Sequence, residues 1–294
     1  MESALGLVFV FLWASVSVAA KLGYHDTKPL TLLEARFVFA ALLLLVVNHL
    51  VRRRPLPHRG QWRHLAVISV TNSAGYLGLA WLALHEISVG LWALFIATNP
   101  FLTAVLARVW LKRAVRRREW LGMGVSAVGL AAATGPSLAS SHATVSGLVM
   151  AALATVLYSV GSVYRTWSKL VIDPAVLNGW QIAIGLVLLL PFAIALNGRA
   201  TPTITWKLVG ALAWSVLAVS LLANWLWFKL VAVDPVRAST WLFLTPVFGY
   251  VQAAVVLGEP IHAADLIGLV LVLGGLVVAG TVDLRWFSRR RAMI

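Results

Sequence analysis

The chain has 294 residues, 61% of them hydrophobic and 12% charged, with a formal net charge of +14 and no cysteine. Soluble globular proteins carry about 25% charged residues, so that class is excluded, and without cysteine there are no disulfides, thiolate nucleophiles or thiolate metal sites. Arginine and lysine sit mainly in short loops between apolar runs rather than in a basic domain, which argues for a lipid bilayer and against nucleic acid as the partner.

Apolar runs of about 20 residues, long enough to cross a hydrocarbon core, follow one another along the chain. They predict an all-α polytopic membrane protein with ten transmembrane helices; a β-barrel would show short alternating segments. The first span, 4–21, ends in Val18-Ala19-Ala20 as a signal peptide does, but Met1-Glu2-Ser3 lacks a basic start, so it reads as a retained helix carrying Trp13. Span 2, 31–51, places Arg36 about a turn and a half inside, with Glu34 nearby. A guanidinium there either holds a substrate carboxylate or snorkels to the interface. Span 3, 63–84, carries Asn72 and Tyr76 four apart, hence on one helical face. Span 4, 90–111, has Thr98 and Asn99 just before Pro100. Span 5, 119–136, is glycine-rich; span 6, 146–168, offers Tyr158; span 7 is 175–196. Span 8, 206–229, repeats the spacing of span 3 with Ser220 and Asn224, and span 9, 236–257, has Thr240 and Thr245 before Pro246. Span 10, 263–282, is again glycine-rich.

Eighteen basic residues, from Arg52 to Arg291, fall on the side of the N-terminus, against Lys21, Lys28, Arg199 and Lys207 on the other. The imbalance predicts both termini in the cytoplasm. The chain also repeats itself: shifted by 146 positions, Trp81–Leu130 lies over Trp227–Leu276 without a gap. Trp81 meets Trp227, Pro100 meets Pro246, Glu119 meets Asp265, Gly122 meets Gly268 and Gly129 meets Gly275. Two five-helix repeats are expected, 1–140 and 141–294. Five is odd, so the second enters the membrane from the opposite side, an inverted repeat with a site near the midplane and alternating access.

Mid-depth polar residues cost energy unless they are used or paired. Trp13, Asn72, Tyr76, Thr98, Asn99, Tyr158, Ser220, Asn224 and Thr245, with Arg36, describe a mildly polar, aromatic-lined cavity for a small-molecule substrate. The plainer alternative is helix–helix hydrogen bonding. Pro100 and Pro246 each remove a backbone donor at mid-depth, and read as hinges or as fixed kinks. Trp62, Trp120, Trp206 and Trp286 suit an interfacial belt; Trp13, Trp81, Trp92, Trp180, Trp225, Trp227 and Trp241 lie deeper and suit either an aromatic cage or lipid-facing packing. Lys21, Arg165 and Lys229 near span ends read as snorkelling. Glu119, Glu259 and Asp265 sit at or just before helix starts, where negative charge is favourable. No carboxylate maps to the midplane, and no catalytic residue, metal site or cofactor is expected.

The chain resembles the drug/metabolite transporter superfamily, and within it the EamA-type transporters. The matching pieces are Leu12-Trp13-Ala14-Ser15 with Lys21, Arg36-Phe37, Ala97-Thr98-Asn99-Pro100, Phe243-Leu244-Thr245-Pro246, Leu257-Gly258-Glu259-Pro260 and the glycine-rich fifth helices. Where such families usually have a glycine–glutamate pair, the first repeat has Leu111-Lys112-Arg113-Ala114. The resemblance implies a secondary transporter of the bacterial inner membrane that exports amino acids, related metabolites or toxic compounds. Uniport, exchange, or import of a small organic cation are the alternatives, with an intramembrane enzyme or a channel as the other classes. Gly122, Gly124, Gly129, Gly268, Gly274 and Gly275 serve internal packing or a homodimer.

Overall fold

A computed structural model of the protein describes residues 2–112, 114–139, 143–197, 201–233 and 241–280. Within them the chain is all helical: α1 (Glu2–Gly23), α2 (Pro29–Val51), α3 (Arg59–Glu86), α4 (Val89–Trp110), α5 (Arg117–Ala139), α6 (Val145–Trp167), α7 (Pro174–Asn197), α8 (206–233), α9 (Thr245–Leu257) and α10 (Ala263–Ala279). Seven of these rods, α1 to α4 and α6 to α8, contain stretches long and apolar enough to cross a membrane; α9 and α10 are shorter apolar helices. The protein is a polytopic helical membrane protein. The predicted start of span 9, with Thr240 and Arg237, and the C-terminal basic cluster of Arg285 to Arg291 lie outside the described residues.

The helix ends follow from local chemistry. Ser88 Oγ accepts the Leu91 N–H at 3.1 Å, Thr144 Oγ1 that of Gly147 at 2.9 Å, and Thr205 Oγ1 that of Leu208 at 3.1 Å. Each cap satisfies an amide that the helix leaves open. Glu119 accepts the Arg116 N–H at 2.8 Å and Asp265 that of His262 at 2.9 Å, the same device at the same repeat position. Gly258 and Gly280 (both φ 69°) close α9 and α10 in the left-handed conformation that glycine adopts without strain.

The principal packing joins residues before 140 to residues after it: α5 on α10, α2 on α7, α3 on α6, α1 on α8 and α9, and α4 on α6 and α9. The core is therefore the interface between the two predicted halves. Its closest approach is α5 on α10. A Cβ on Gly122 would meet the Gly275 carbonyl at 2.3 Å, and one on Gly275 the Gly122 carbonyl at 2.5 Å. Gly129 and Gly268 meet in the same way one step along, and Ser126 Oγ donates to the Val272 carbonyl at 3.1 Å between them. Small residues let backbones come this near where no hydrophobic effect drives association. Four of the six glycines thus serve internal packing, while Gly124 and Gly274 face open space.

Regular α-helix is interrupted by π turns at Val46–Val51, Ser69–Gly75, Trp214–Ala223 and Ala253–Leu257. Two of them carry serines 146 positions apart at their N-terminal ends. Ser69 Oγ donates to the Leu65 carbonyl and Ser215 Oγ to that of Ala211, both at 2.7 Å. A hydroxyl that takes the i−4 carbonyl competes with the backbone donor and loosens the turn. The predicted strict i, i+4 faces in α3 and α8 are therefore widened turns. The prolines break helices too: Thr98 ends one segment and Asn99–Trp110 begins the next with Pro100 in its first turn, and Pro246 occupies the same place in Thr245–Gln252.

Gly122→Leu or Gly275→Leu forces backbone against side chain and exceeds the usual overpacking cost of about 1–3 kcal/mol. Both variants should lose the monodisperse peak in detergent size-exclusion chromatography and unfold at lower temperature. Gly124→Leu and Gly274→Leu should match the wild type.

Candidate functional site

One cavity of about 250 Å³ lies between the two halves. α1 contributes Trp13, α2 Arg36, α3 Asn72 and Tyr76, α6 Tyr158, α8 Ser220 and Asn224, and α9 Thr245. Eight of the ten candidate residues thus meet in one place. Thr98 and Asn99 do not line it. Thr98 Oγ1 donates to the Phe95 carbonyl at 2.7 Å, and buried Asn99 faces Ser159, whose hydroxyl lies 3.4 Å from its Oδ1. These two hold the break in α4 rather than the cavity wall. Pro100 is exposed and Pro246 buried, so the two breaks face different surroundings.

The widened turns carry the site. Asn72 sits inside the π turn of α3 and Tyr76 directly after it; Ser220 and Asn224 take the same places in α8. Ser220 Oγ donates to the Ser215 carbonyl at 3.1 Å, and Asn224 Nδ2 to the Ser220 carbonyl at 3.0 Å. Arg36 is 8% exposed. Its Nε and Nη2 both donate to Ser220 Oγ at 3.3 Å, and its Cζ lies 5.7 Å from the centre of the Trp81 ring. Arg36 therefore does not snorkel. Tyr76 packs on Tyr158 with ring centres 4.9 Å apart and on Trp92 at 6.2 Å. Trp13, Trp81, Trp92 and Trp227 line the cavity, but the other deep tryptophans with described surroundings do not all join them. Trp180 Nε1 donates to His49 Nε2 at 3.1 Å, and Trp225 carries the Lys229 ammonium on its face at 4.1 Å. Trp206 is 91% exposed, as a membrane-interface residue is.

Five further polar residues of the wall are not among the candidates: Ser17, Ser73, Asn178, Gln181 and Arg165. Asn178 and Gln181 are polar residues three apart in an otherwise apolar run, a signal of the kind used for α3. Arg165 was expected to snorkel at a span end, yet it lines the cavity and a wider recess of about 670 Å³. Asn72 and Tyr158 belong to both, so the cavity leads out past Arg165 and Lys169. The buried Asn72 Oδ1, Ser73 Oγ, Asn178 Nδ2 and Thr245 Oγ1 have no protein partner. Buried polar atoms are normally paired, so this wall offers hydrogen bonds to whatever enters.

The opposite end is tied shut. Lys21 Nζ lies 2.8 Å from Glu259 Oε1, and Glu259 Oε2 accepts the Val89 N–H at 2.9 Å. One carboxylate thereby joins α1, the start of α4 and the α9–α10 loop. Beside it the Tyr24 hydroxyl donates to the Trp81 carbonyl at 2.8 Å. The Asp26 carbonyl accepts the Thr203 N–H at 2.9 Å, and Glu86 accepts the hydroxyls of Thr144 and Ser146. Glu86 is thus tied to the second half.

A model of the EamA-like transporter family matches the chain twice, at residues 2–135 and 145–281. The uncharacterized transporter YoaV of Bacillus subtilis is 24% identical, with 98% of each chain covered. A probable amino-acid metabolite efflux pump of Salmonella typhimurium is 25% identical, with 94% of each chain covered. A crystal structure with 18% identity superposes with a TM-score of 0.65 over 95% of this chain and 98% of its own, a likeness of fold.

A half-buried ion pair with an added backbone hydrogen bond contributes about 1–2 kcal/mol. Glu259→Gln should therefore shift the population open at the Lys21 end by roughly five- to thirtyfold. A single cysteine at Leu84, buried on the cavity wall, reads this out as faster maleimide labelling from that end.

Proposed function

The chain belongs to the EamA-like transporter family of the drug/metabolite transporter superfamily, and from that premise we propose that it exports a small metabolite by alternating access through the central cavity. It is a membrane transporter by family. The observation that carries the finer reading is a polar, aromatic cavity walled by both halves, open past Arg165 and closed by Glu259. A cavity of about 250 Å³ suits an amino acid or another small amphipathic compound. Each half is a five-helix repeat, 1–140 and 141–294, and the second is inverted relative to the first. Support comes from the glutamate and aspartate caps of α5 and α10, the serine-bearing π turns of α3 and α8, and the proline breaks of α4 and α9. All three pairs stand 146 positions apart.

The basic loops put both termini in the cytoplasm of a bacterial cell and the transporter in its inner membrane. The Arg165 opening is then cytoplasmic and the Lys21 closure external, which is the loading state of an exporter. Rocking of one half against the other exchanges the two, with Pro100 and Pro246 at the bends. Trp13, Arg36, Asn72, Tyr76, Tyr158, Ser220, Asn224 and Thr245 contact the substrate. Export of an amino acid or related metabolite agrees with the name of the Salmonella relative.

Two measurements test this reading. The chain has no native cysteine, so single cysteines at exposed Thr201 and exposed Arg59 report sidedness directly. An impermeant maleimide on intact cells should label the first and spare the second; the reverse pattern overturns the orientation. In liposomes, uptake of an amino-acid panel should include a saturable component. Tyr76→Ala and Asn224→Ala should each slow it by about tenfold or more, a loss of about 1.4 kcal/mol.

A further inference from the structure

Resting on the central-cavity reading, the geometry points to the substrate class: we propose that the cavity takes a monocarboxylate with an apolar or aromatic body, the carboxylate seated on Arg36.

Arg36 is a cation buried by nine-tenths with no ion-pair partner among the described residues. Its protein hydrogen bonds both go to one hydroxyl, Ser220 Oγ, and both are long at 3.3 Å. Nη1 has no partner among the described residues. Glu34 does not supply the missing charge. Two residues apart on a helix, it points to the other side of α2, and its own buried Oε1 is unpaired. Among the described residues no aspartate or glutamate lines the cavity, while Arg165 adds a second positive charge towards the opening. A buried, unpaired ion is costly, and a guanidinium offers two parallel donors that match a carboxylate. The ligand that completes this site is an anion.

The surroundings narrow the class. Trp81 lies by the guanidinium, and Trp92, Tyr76 and Tyr158 form a continuous aromatic wall beyond it. Such a wall buries an apolar body whose charged end is held elsewhere. One deeply buried cation balances one negative charge, which favours a monocarboxylate over a phosphate dianion. Asn72 Oδ1 and Thr245 Oγ1, unpaired among the described residues, are free to accept hydrogen bonds from an ammonium, so a zwitterion fits as well as a simple acid. An organic cation meets positive charge at Arg165 and again at Arg36, without a carboxylate to receive it.

The test compares four probes of similar shape on purified full-length protein by titration calorimetry: 3-phenylpropionate, 3-phenylpropionamide, phenethylammonium and 2-phenylethylphosphonate. The acid should bind at least tenfold more tightly than the amide or the ammonium, and more tightly than the phosphonate. In Arg36→Gln the preference of acid over amide should fall below about twofold, with Arg36→Lys between. The wild-type comparison stands by itself if Arg36→Gln fails to fold. Equal binding of acid and amide, tighter binding of the phosphonate or the ammonium, or no binding of the acid at millimolar concentration overturns the inference. A single cysteine at Ile96, on the cavity wall, separates this from the underlying reading. Amide that protects it as well as acid does leaves the cavity standing and removes the carboxylate. Acid that binds without protecting it moves the site out of the cavity, and both fall.

Discussion

A hydrocarbon layer offers no water to satisfy a backbone amide or carbonyl, so a membrane helix can depart from regularity only where the protein itself answers for it. The departures in this protein are concentrated where the two halves meet. Serine hydroxyls take the carbonyls that open the π turns of α3 and α8, and Ser220 and Asn224 bond back to the loosened backbone. The same loosened turns carry Asn72 and Ser220 into the cavity. Irregular backbone and binding wall are here one feature: a widened turn is tolerated because it faces a polar cavity, and the cavity is polar because widened turns line it.

The second constraint is asymmetry between two similar halves. At one end a single carboxylate, Glu259, gathers a lysine and a backbone amide from the first half. The residue 146 positions earlier is Arg113, of opposite charge. Two halves that match the same family model therefore differ in charge at this position.

Charge inside the cavity follows a similar logic. Arg36 is in the first half and Ser220 in the second, so the bond between them crosses the interface between the halves. A hydroxyl is a weak partner for a buried guanidinium. In the proposed site, a carboxylate arriving between them strengthens the cross-interface contact, and its departure returns it to the weak one.

Run length and apolarity determined the helices before any coordinate was known, because about 20 apolar residues have few other places to go. The 146-residue offset announced paired proline breaks, paired acidic caps and two glycine-rich helices. Eight of ten candidate residues were legible as polar or aromatic side chains at mid-depth, where each has to be used or paired. Thr98 and Asn99 looked the same in one dimension and turned out to serve a helix break, since depth alone does not say which way a side chain points. The glycine faces are a like case: spacing showed that something comes close, and only the packing of α5 on α10 showed that it is the protein's own other half. Arg165, placed by its position at a span end among the snorkelling cations, lines the cavity. Sequence periodicity reports a residue's depth and face along one helix; which helix faces it is a long-range fact, and that decided the cavity, its open end and the buried Arg36 within it.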